Sequence, residues 1–405
     1  MQRIGFISTR LTGTDGVSLE THKWRATLEQ LGYECVYVAG ELDDGHRIPE
    51  AAFTHPEIAG IQSECFGREH RTRALSKRIN DSLVRLKDEL YRAQDKLKVD
   101  LWIAENCLTI PMHIPLGLSF TEFLAETGIP CIAHHHDFWW ERERFATNAV
   151  NDYLHAAFPP RLPSVRHVVI NSVAASQLSY RLGLSSTLIP NVMDFENPPP
   201  KPASGAVGFR NDLGLAGDDW LLLQPTRVVP RKQIEQAVEL VKRLDHLGTA
   251  LVITHSTGDE GDEYTHHICN YARLLGVTLK FAHELVERRY SLADVYASAD
   301  LVTYPSGYEG FGNAFLEAIY YRRPIMCNRY SIFQTDIEPK GFKAITMNGF
   351  VDEDTVQHAR RAIEDKPYAQ TMVEHNYRLG GQYFSYRVLK HKLQALLTEI
   401  AGVCQ

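Results

Sequence analysis

Residues 304–324 read YPSGYEGFGNAFLEAIYYRRP, and the interpretation of the whole chain begins from this stretch. An apolar run that starts at Asp300 leads into it, and Gly310 and Gly312 then precede a segment in which apolar residues recur at helical spacing. The pattern predicts a strand, a glycine loop and a helix.

The predicted loop has the groups that a phosphorylated, hydroxyl-rich ligand needs. Backbone N–H groups at the start of a helix bind anions, so we expect Phe311, Gly312 and Asn313 to present theirs to phosphate. Glu309 precedes the helix, and Glu317 lies about two turns inside it, which allows both carboxylates to reach one crevice.

The combination of Pro-Ser-x-x-Glu-Gly-Phe-Gly with a second glutamate, Glu317, eight positions after Glu309 resembles the donor site of retaining glycosyltransferases of family 4. The resemblance implies an α/β protein with the GT-B fold, in which two Rossmann-like domains face each other across a cleft. It also implies that Glu309 lies beside the donor sugar, that Glu317 binds the ribose hydroxyls and that the loop amides hold the diphosphate.

Composition narrows the class of protein independently. A chain of 405 residues suits two domains, and a content of 44% hydrophobic and 23% charged residues is typical of a soluble globular protein. The net charge of −7 gives no reason to expect a nucleic-acid partner. No apolar run is long enough to span a membrane and no signal peptide precedes the first strand, so we expect a cytoplasmic protein with reduced cysteines. The oligomeric state stays open.

The N-terminus reads as a βαβ unit. A strand over residues 4–9 is followed by a glycine-containing turn over residues 11–18. The turn is not G-x-G-x-x-G, and no acidic residue follows at the position that binds a dinucleotide ribose, which argues against a nicotinamide enzyme. The resemblance implies instead that Gly16 borders the donor phosphate.

Three adjacent histidines, His134 to His136, follow an apolar strand predicted over residues 129–133. Consecutive strand residues alternate faces, so all three cannot bind one ion, and the sequence shows no clear second cluster of ligands. We therefore expect no metal. The resemblance assigns His136 to the donor sugar, with His135 as the alternative register.

The strand and helix alternation restarts after a proline-rich tract. We predict an N-terminal acceptor-side domain over residues 1–196, a linker over 197–205 and a donor domain over 206–382. A last helix over 383–405 is expected to pack back on the first domain, as the resemblance implies.

A cationic loop follows the first strand of the second half. Arg227 and Lys232 resemble the family's pair of residues that neutralise the donor diphosphate, with Arg231 as a substitute in the same loop. Charge supports this assignment, because a protein of net charge −7 needs fixed cations to hold a departing diphosphate.

The implied reaction is transfer of a hexose from a nucleotide sugar to the hydroxyl of a small acceptor with retained anomeric configuration, with no cofactor or metal required. Two segments, residues 7–20 and 134–142, also resemble enzymes that make mannosylglucosylglycerate-type solutes, which would mean GDP-mannose and an anionic acceptor. UDP-glucose is the other donor to consider. The alternatives are a phosphorylase of the trehalose-phosphorylase kind and a catalytically silent sugar-nucleotide-binding protein, whereas Glu309 and Glu317 disfavour an epimerase.

Overall fold

The polypeptide forms two units, and in each unit strands alternate with helices along the chain. The computed structural model describes residues 2–13, 16–202, 205–257 and 261–403. The first unit comprises Met1–Asn191 with Leu389–Gln405, and the second comprises Val192–Val388.

The first unit contains a parallel sheet, which in the described part of the chain has seven strands in the order β3-β2-β1-β4-β5-β6-β7. Its strands are β1 Arg3–Leu11, β2 Glu34–Leu42, β3 His46–Arg47, β4 Leu101–Glu105, β5 Cys131–His135, β6 Val165–Val169 and β7 Thr187–Leu188. Its helices are α1 Gly16–Gln30, α2 Pro56–Cys65, α3 Arg73–Leu97, α4 Ile114–Thr127, α5 Asn151–Ala157 and α6 Ser172–Leu182.

The two central strands of this sheet are buried on both faces, which is what a parallel sheet covered by helices requires. Every residue of β4 and of β5 is buried. Side chains start the helices: Thr72 accepts from Leu75 N at α3, and His113 accepts from Leu116 N at α4. The carboxyl ends of β4 and β5 are therefore part of the core of this unit.

The second unit repeats the scheme with a parallel sheet of six described strands in the order β10-β9-β8-β11-β12-β13. Its strands are β8 Leu221–Gln224, β9 Ala250–Ile253, β10 Thr278–Phe281, β11 Leu301–Tyr304, β12 Ile325–Asn328 and β13 Ile345–Met347. Its helices are α7 Gly205–Asp212, α8 Ile234–Leu244, α9 Glu263–Leu275, α10 His283–Arg288, α11 Leu292–Ser298, α12 Asn313–Tyr320, α13 Glu353–Glu364 and α14 Lys366–Tyr383, and α15 Tyr386–Val403 begins in this unit and continues in the first. The prediction of an α/β protein with two Rossmann-like domains is confirmed.

The boundary between the units falls at Val192, ahead of the predicted linker. Met193 N donates to Phe384 O at 2.9 Å, and the Phe195 ring packs on Tyr377 with centroids 5.3 Å apart. These contacts place residues 192–196 in the second unit. Ala203 and Ser204, at the end of the predicted linker, lie outside the described residues.

The chain returns to the first unit within α15, at Leu389 rather than at the predicted residue 383. Lys392 Nζ donates to Leu188 O at 2.8 Å, and Arg166 pairs with Glu399 at 3.1 Å. Leu389 and Leu393 are fully buried, so this part of α15 belongs to the core of the first unit. None of the helices in the described part of the chain combines the length and the apolar character needed to cross a bilayer.

Candidate active site

The cationic loop of the second unit begins where β8 ends beside β11. Thr303 Oγ1 donates to Gln224 Oε1 at 2.7 Å, and Gln224 Nε2 donates to Thr226 Oγ1 at 2.7 Å. All three side chains are buried, and the hydrogen bonds satisfy polar groups that would otherwise be costly in the core. The network fixes the direction in which residues 227–232 leave the sheet.

Glu309 is a buried carboxylate that pairs with two cations of the loop after β8. Its Oε1 accepts from Lys232 Nζ, and its Oε2 pairs with Arg231 NH1 at 3.1 Å. Lys232 and Glu309 are each only 7% exposed. Gly307 N also donates to Arg231 O at 2.9 Å, so backbone and side-chain contacts join the loop after β8 to the loop after β11.

Burial and charge act in opposite directions on this pair. Burial raises the pKa of Glu309, but Lys232 and Arg231 overcome it and hold the pKa below its ordinary value. For Lys232, burial lowers the pKa and outweighs the opposing attraction of Glu309. The carboxylate is held in its charged form more firmly than the ammonium because Arg231 shares it.

Arg227 lies in the same loop and is exposed. It acts with Lys232 on His255, whose pKa is lowered by burial and then by these two cations. The two cations predicted from the sequence therefore influence one neighbourhood, and Arg231, predicted as a substitute, contacts Glu309 directly.

The glycine loop is fixed by a steric constraint at Gly312. This residue has φ of +120°, and a Cβ at its position would lie 2.4 Å from Tyr330 Oη. Tyr330 Oη in turn donates to Phe311 O at 2.8 Å, and the Phe311 ring packs on Phe384. Asn313 is the first residue of α12, so Phe311, Gly312 and Asn313 form the start of the helix as the sequence predicted.

Glu317 lies one turn after Asn313 in α12, rather than the predicted two turns inside the helix, and is half-buried. Its Oε2 accepts from Tyr296 Oη at 2.7 Å, and the fully buried Tyr296 ring stacks on Tyr321 with centroids 4.7 Å apart. Tyr296 could not be predicted from the sequence, because the helix α11 that carries it is separated from Glu317 by a strand and a loop.

A second group of titratable side chains lies at the carboxyl ends of β4 and β5 in the first unit. Glu105 pairs with His134 across the two strands. Its Oε2 lies 2.9 Å from His134 Nδ1 and 3.4 Å from His136 Nε2. The His134 ring also stacks on Trp24 with centroids 4.1 Å apart. Glu105 and His134 are fully buried, and His136 is 9% exposed.

The backbone that carries His136 is fixed by Asn106, which follows β4. Asn106 Oδ1 accepts from His136 N at 3.2 Å, and Asn106 Nδ2 donates to Asp137 Oδ1 at 3.3 Å. Asp137 also pairs with Arg142. These hydrogen bonds link the ends of the two strands, and Asn106 adopts φ of +59° to make them.

The alternative register, His135, faces the other side of the sheet. Its Nδ1 lies 2.5 Å from Thr109 Oγ1 and its Nε2 lies 3.0 Å from His167 Nδ1. The strand extends two residues beyond the predicted end at residue 133, so His134 and His135 lie within it. Strand alternation then places His134 and His136 on one face and His135 on the opposite face.

The sequence showed no clear second cluster of metal ligands, but the structure places Glu105 beside two of the histidines. Ligand atoms of Glu105, His134 and His136 lie within 4.8 Å of one another, because the neighbouring parallel strand ends at the same edge of the sheet. However, among the described residues His134 Nε2 finds no hydrogen-bond partner. A histidine that binds a metal ordinarily donates from its second nitrogen, so the group fits a carboxylate shared by two rings better than a metal site.

Protonation follows from these contacts. Burial would raise the pKa of Glu105, but His134 and His136 lower it to about 2. Burial lowers the pKa of His134 despite Glu105. For His136, burial also acts downward, but the hydrogen bond and charge of Glu105, with Glu20 and Asp137 adding to them, raise the pKa above its ordinary value. The ionised carboxylate thus favours a proton on His136 over one on His134.

Gly16 is exposed and is the first residue of α1. The predicted glycine loop over residues 11–18 includes Thr14 and Asp15, which lie outside the described residues. The structure therefore locates Gly16 at the amino end of α1, after the carboxyl end of β1.

Comparisons with known proteins agree with this architecture. The profile of the family "Glycosyl transferases group 1" matches residues 208–379, which include both loops around Glu309. A glycosyltransferase structure from Rickettsia africae superposes with a TM-score of 0.71 at 11% identity, covering 99% of this chain and 98% of that one. This likeness shows that the fold is GT-B.

The chain belongs to the group 1 glycosyltransferases, and the predicted family and enzyme class are confirmed. It is 32% identical over 423 residues to the mannosylglucosylglycerate synthase of Thermotoga maritima, covering 96% of this chain and 98% of the relative. It is also 32% identical over 376 residues to the mannosylglucosylglycerate synthase of Petrotoga mobilis, covering 85% of this chain and 86% of the relative.

Proposed function

We propose that this glycosyltransferase moves a mannosyl group from GDP-mannose to a hydroxyl of a small acceptor that bears a carboxylate, with retention of anomeric configuration. The observation that carries the proposal is the group formed by Lys232, Arg231 and Glu309, in which two cations at a loop converge on one buried carboxylate. UDP-glucose is the alternative donor.

The cations are suited to the departing diphosphate. In a chain of net charge −7, Arg227, Arg231 and Lys232 follow one strand within six residues. Cations fixed in place before the reaction stabilise the charge that develops on a leaving group without further reorganisation. The amides of Phe311, Gly312 and Asn313 at the start of α12 supply a second set of donors, and a metal is not needed for this role.

The reaction we propose is front-face attack, in which the acceptor hydroxyl approaches the same side of the sugar that the phosphate leaves. The protein then contributes positioning and electrostatic stabilisation rather than a covalent nucleophile. Glu309 acts beside the sugar as positive charge develops on it, and His136 binds a sugar hydroxyl. Glu317 binds the ribose, and Gly16 borders the phosphate.

The acceptor class rests on the relatives. Both are named mannosylglucosylglycerate synthases, and a product that contains glycerate carries a carboxylate. We therefore propose glucosylglycerate as the acceptor of the present chain.

The donor is tested first by thermal shift with GDP, UDP, ADP and their sugars, because ligand-dependent stabilisation reports affinity. We expect GDP and GDP-mannose to stabilise the protein most. Product formation is then measured with glucosylglycerate and with glucosylglycerol, a neutral match that lacks the carboxylate. Proton NMR of the new anomeric bond should show the configuration of the donor.

An inverted product would overturn the proposed reaction, and binding without turnover of any nucleotide sugar would identify a silent binding protein. A reaction that depends on inorganic phosphate would identify a phosphorylase. Equal rates with the neutral acceptor would remove the carboxylate from the proposal but leave sugar transfer intact.

The roles of the two glutamates are tested by kinetics of Glu309→Gln and Glu317→Gln. Glu309→Gln should chiefly lower kcat, because its charge acts on the transition state, and Glu317→Gln should chiefly raise the donor KM, because a ribose contact is present before and during reaction. We expect each to lose at least about tenfold in kcat/KM, or ~1.4 kcal/mol. Reversed effects would contradict the assignment.

A further inference from the structure

We propose that Glu105 is a positioning residue that holds the Nε2–H of His136 and thereby turns the Nδ1 edge of the ring toward the ligand. The inference deepens the proposed function, on which the role of His136 in binding sugar rests. The observation behind it is independent of that role: one buried carboxylate oxygen lies within hydrogen-bonding reach of two histidines on the adjacent strand.

The sheet fixes the position of Glu105 more firmly than a surface loop could. Glu105 is the last residue of β4, and its backbone is in register with His134 of β5. Ser8 Oγ on β1 donates to Glu105 O at 2.9 Å, so both neighbouring strands hold this residue. The Glu105 side chain is also fully buried, which limits rotation of the carboxylate, so we expect the ring to adjust to the carboxylate.

His136, rather than His134, is the ring that can reach a ligand. The His134 ring is stacked on Trp24 and is fully buried, which leaves it no route to a ligand. His136 is the member of the group that retains exposure. With Nε2 facing Glu105, the nitrogen that can meet a sugar hydroxyl is Nδ1, and the hydrogen bond to Asn106 Oδ1 keeps the backbone of His136 from rotating away.

The charged groups around His136 are held by different partners. Glu20 on α1 is fully buried and pairs with Lys23 at 2.9 Å, and Asp137 pairs with Arg142. Glu105 is the carboxylate that reaches the ring itself. Glu20→Gln is therefore a matched control, since it also removes a buried charge from this unit without removing the partner of His136 Nε2.

The test compares Glu105→Gln, Glu105→Ala and Glu20→Gln by steady-state kinetics. Gln keeps an acceptor oxygen for Nε2–H, whereas Ala keeps none. We expect kcat to fall about tenfold in Glu105→Gln and about hundredfold in Glu105→Ala, with donor KM changing less than about threefold. Glu20→Gln should lower kcat less than Glu105→Gln does, because Glu20 acts on His136 through its charge, whereas Glu105 also accepts from Nε2.

Nitrogen NMR of the resting protein tests the orientation without any reaction, with His136→Gln used for assignment. We expect Nε2 of His136 to carry the proton in the wild type and in Glu105→Gln, and a mixture of tautomers in Glu105→Ala. An unprotonated Nε2 in the wild type would overturn the inference. So would stoichiometric Zn²⁺ binding that Glu105→Gln abolishes, because the carboxylate would then be a metal ligand.

Failure of this inference and failure of the proposed function give different results. If His136→Gln keeps full activity, the role of His136 in the proposed function is wrong, whatever the tautomer. If His136→Gln is inactive but Glu105→Ala reacts like the wild type, His136 is needed and Glu105 does not position it.

Discussion

Glu309 and Glu105 are both buried glutamates at the carboxyl ends of parallel strands, one in each unit, yet they are neutralised by different chemistry. Glu309 is paired with Lys232 and Arg231, whose ammonium and guanidinium groups only donate hydrogen bonds. Glu105 is paired with His134 and His136, whose charge depends on the proton.

What each carboxylate can do depends on the partners that hold it. Two cationic side chains that converge on Glu309 give this loop a net positive charge, which suits a site that must bind a diphosphate with two or more negative charges. Histidines instead give Glu105 a partner whose hydrogen bonds have a direction, because each ring nitrogen is either a donor or an acceptor. The first arrangement favours electrostatic binding, and the second favours orientation.

The largest effect should come from removing the buried cation beside Glu309. Lys232→Ala leaves Arg231 as the cation paired with the carboxylate and should lower the free energy of unfolding by about 3 kcal/mol. It should also weaken binding of the free nucleoside diphosphate by about 1.5–3 kcal/mol, roughly tenfold to hundredfold, as should Arg227→Ala. Calorimetry with the diphosphate and with the nucleoside measures both affinities.

Lys242→Ala is the control, because Lys242 is an exposed lysine on the helix that follows the same loop. Nucleoside affinity should not change in any of the variants. Combining Lys232→Met with Glu309→Gln should recover stability without recovering diphosphate binding, since both buried charges are removed together and the Arg231 side chain is 40% exposed. Unchanged diphosphate affinity in both Lys232→Ala and Arg227→Ala would remove the cationic loop from the site.

The next effect concerns the loop that carries Glu309. Gly312→Ala places a Cβ against Tyr330 Oη at a residue with φ of +120°, so it should destabilise the protein by about 2–3 kcal/mol and raise the donor KM. Gly341→Ala is the matched control, because its φ is +87° but no atom lies within 4 Å of the added Cβ. It should cost only about 1 kcal/mol in chemical unfolding, from backbone strain.

Adding Tyr330→Phe to Gly312→Ala removes the oxygen that the new methyl group meets. Part of the lost stability should return. If Gly312→Ala were no more destabilising than Gly341→Ala, the close approach of Tyr330 would not constrain the loop.

The comparison of the two glutamates also shows how far the sequence predicts the site. Glu309, Gly312 and Glu317 lie within one strand-loop-helix segment, so their spacing alone predicted the element on which each one lies. Glu105 is 29 residues from His134, and only the pairing of β4 with β5 brings them together. A usable sign was present, because a glutamate ends an apolar strand that precedes the histidine strand.

In the fold, too, local features could be predicted from the sequence, whereas features that depend on distant contacts could not. Alternating apolar runs and amphipathic segments predicted two βα units, because each segment reports its own burial. The position of the boundary at Val192 depends on contacts of Phe195 with Tyr377 and Tyr320, which are far away in sequence. The end of β5 lies two residues beyond its predicted end, because hydrogen bonding to β6 extends β5 through His135.

Acid should destabilise the first unit through its buried histidines. His113 Nδ1 accepts from Leu116 N, and its Nε2 lies 2.8 Å from Glu50 O, so only the neutral ring fits, and burial lowers the pKa of His113 to about 4. Its folded pKa lies below the unfolded value of about 6.5, so its contribution is present above pH 6.5 and is lost as pH falls toward 4. At pH 5 the loss should be about 2 kcal/mol.

Hydrogen exchange of the α4 amides at pH 7 and pH 5, corrected for the intrinsic rates, measures this loss within the first unit. His113→Asn keeps an oxygen that can accept from Leu116 N but does not titrate, so its loss between the two pH values should be smaller by about 2 kcal/mol. His167, whose pKa burial and Arg166 lower to about 4, should account for further loss in both proteins. An equal pH dependence in wild type and His113→Asn would contradict the assignment.

The smallest predicted effect belongs to Tyr296, which donates to Glu317 Oε2 at 2.7 Å. Tyr296→Phe removes that hydrogen bond while the stacking on Tyr321 is kept, so the carboxylate stays in place but gains freedom to rotate. If Glu317 binds the ribose, donor KM should rise about threefold to tenfold, or roughly 1 kcal/mol, with kcat nearly unchanged.

Tyr290→Phe is the matched control, since Tyr290 is a buried tyrosine of the same unit whose hydroxyl lies 2.6 Å from Asp212 Oδ2, and Asp212 has no part in the proposed site. Both variants lose one tyrosine-carboxylate hydrogen bond and should lose similar stability, but only Tyr296→Phe should change KM. Equal KM values in the two variants would show that the orientation of Glu317 does not matter for the donor, and would leave Tyr296 a purely structural residue.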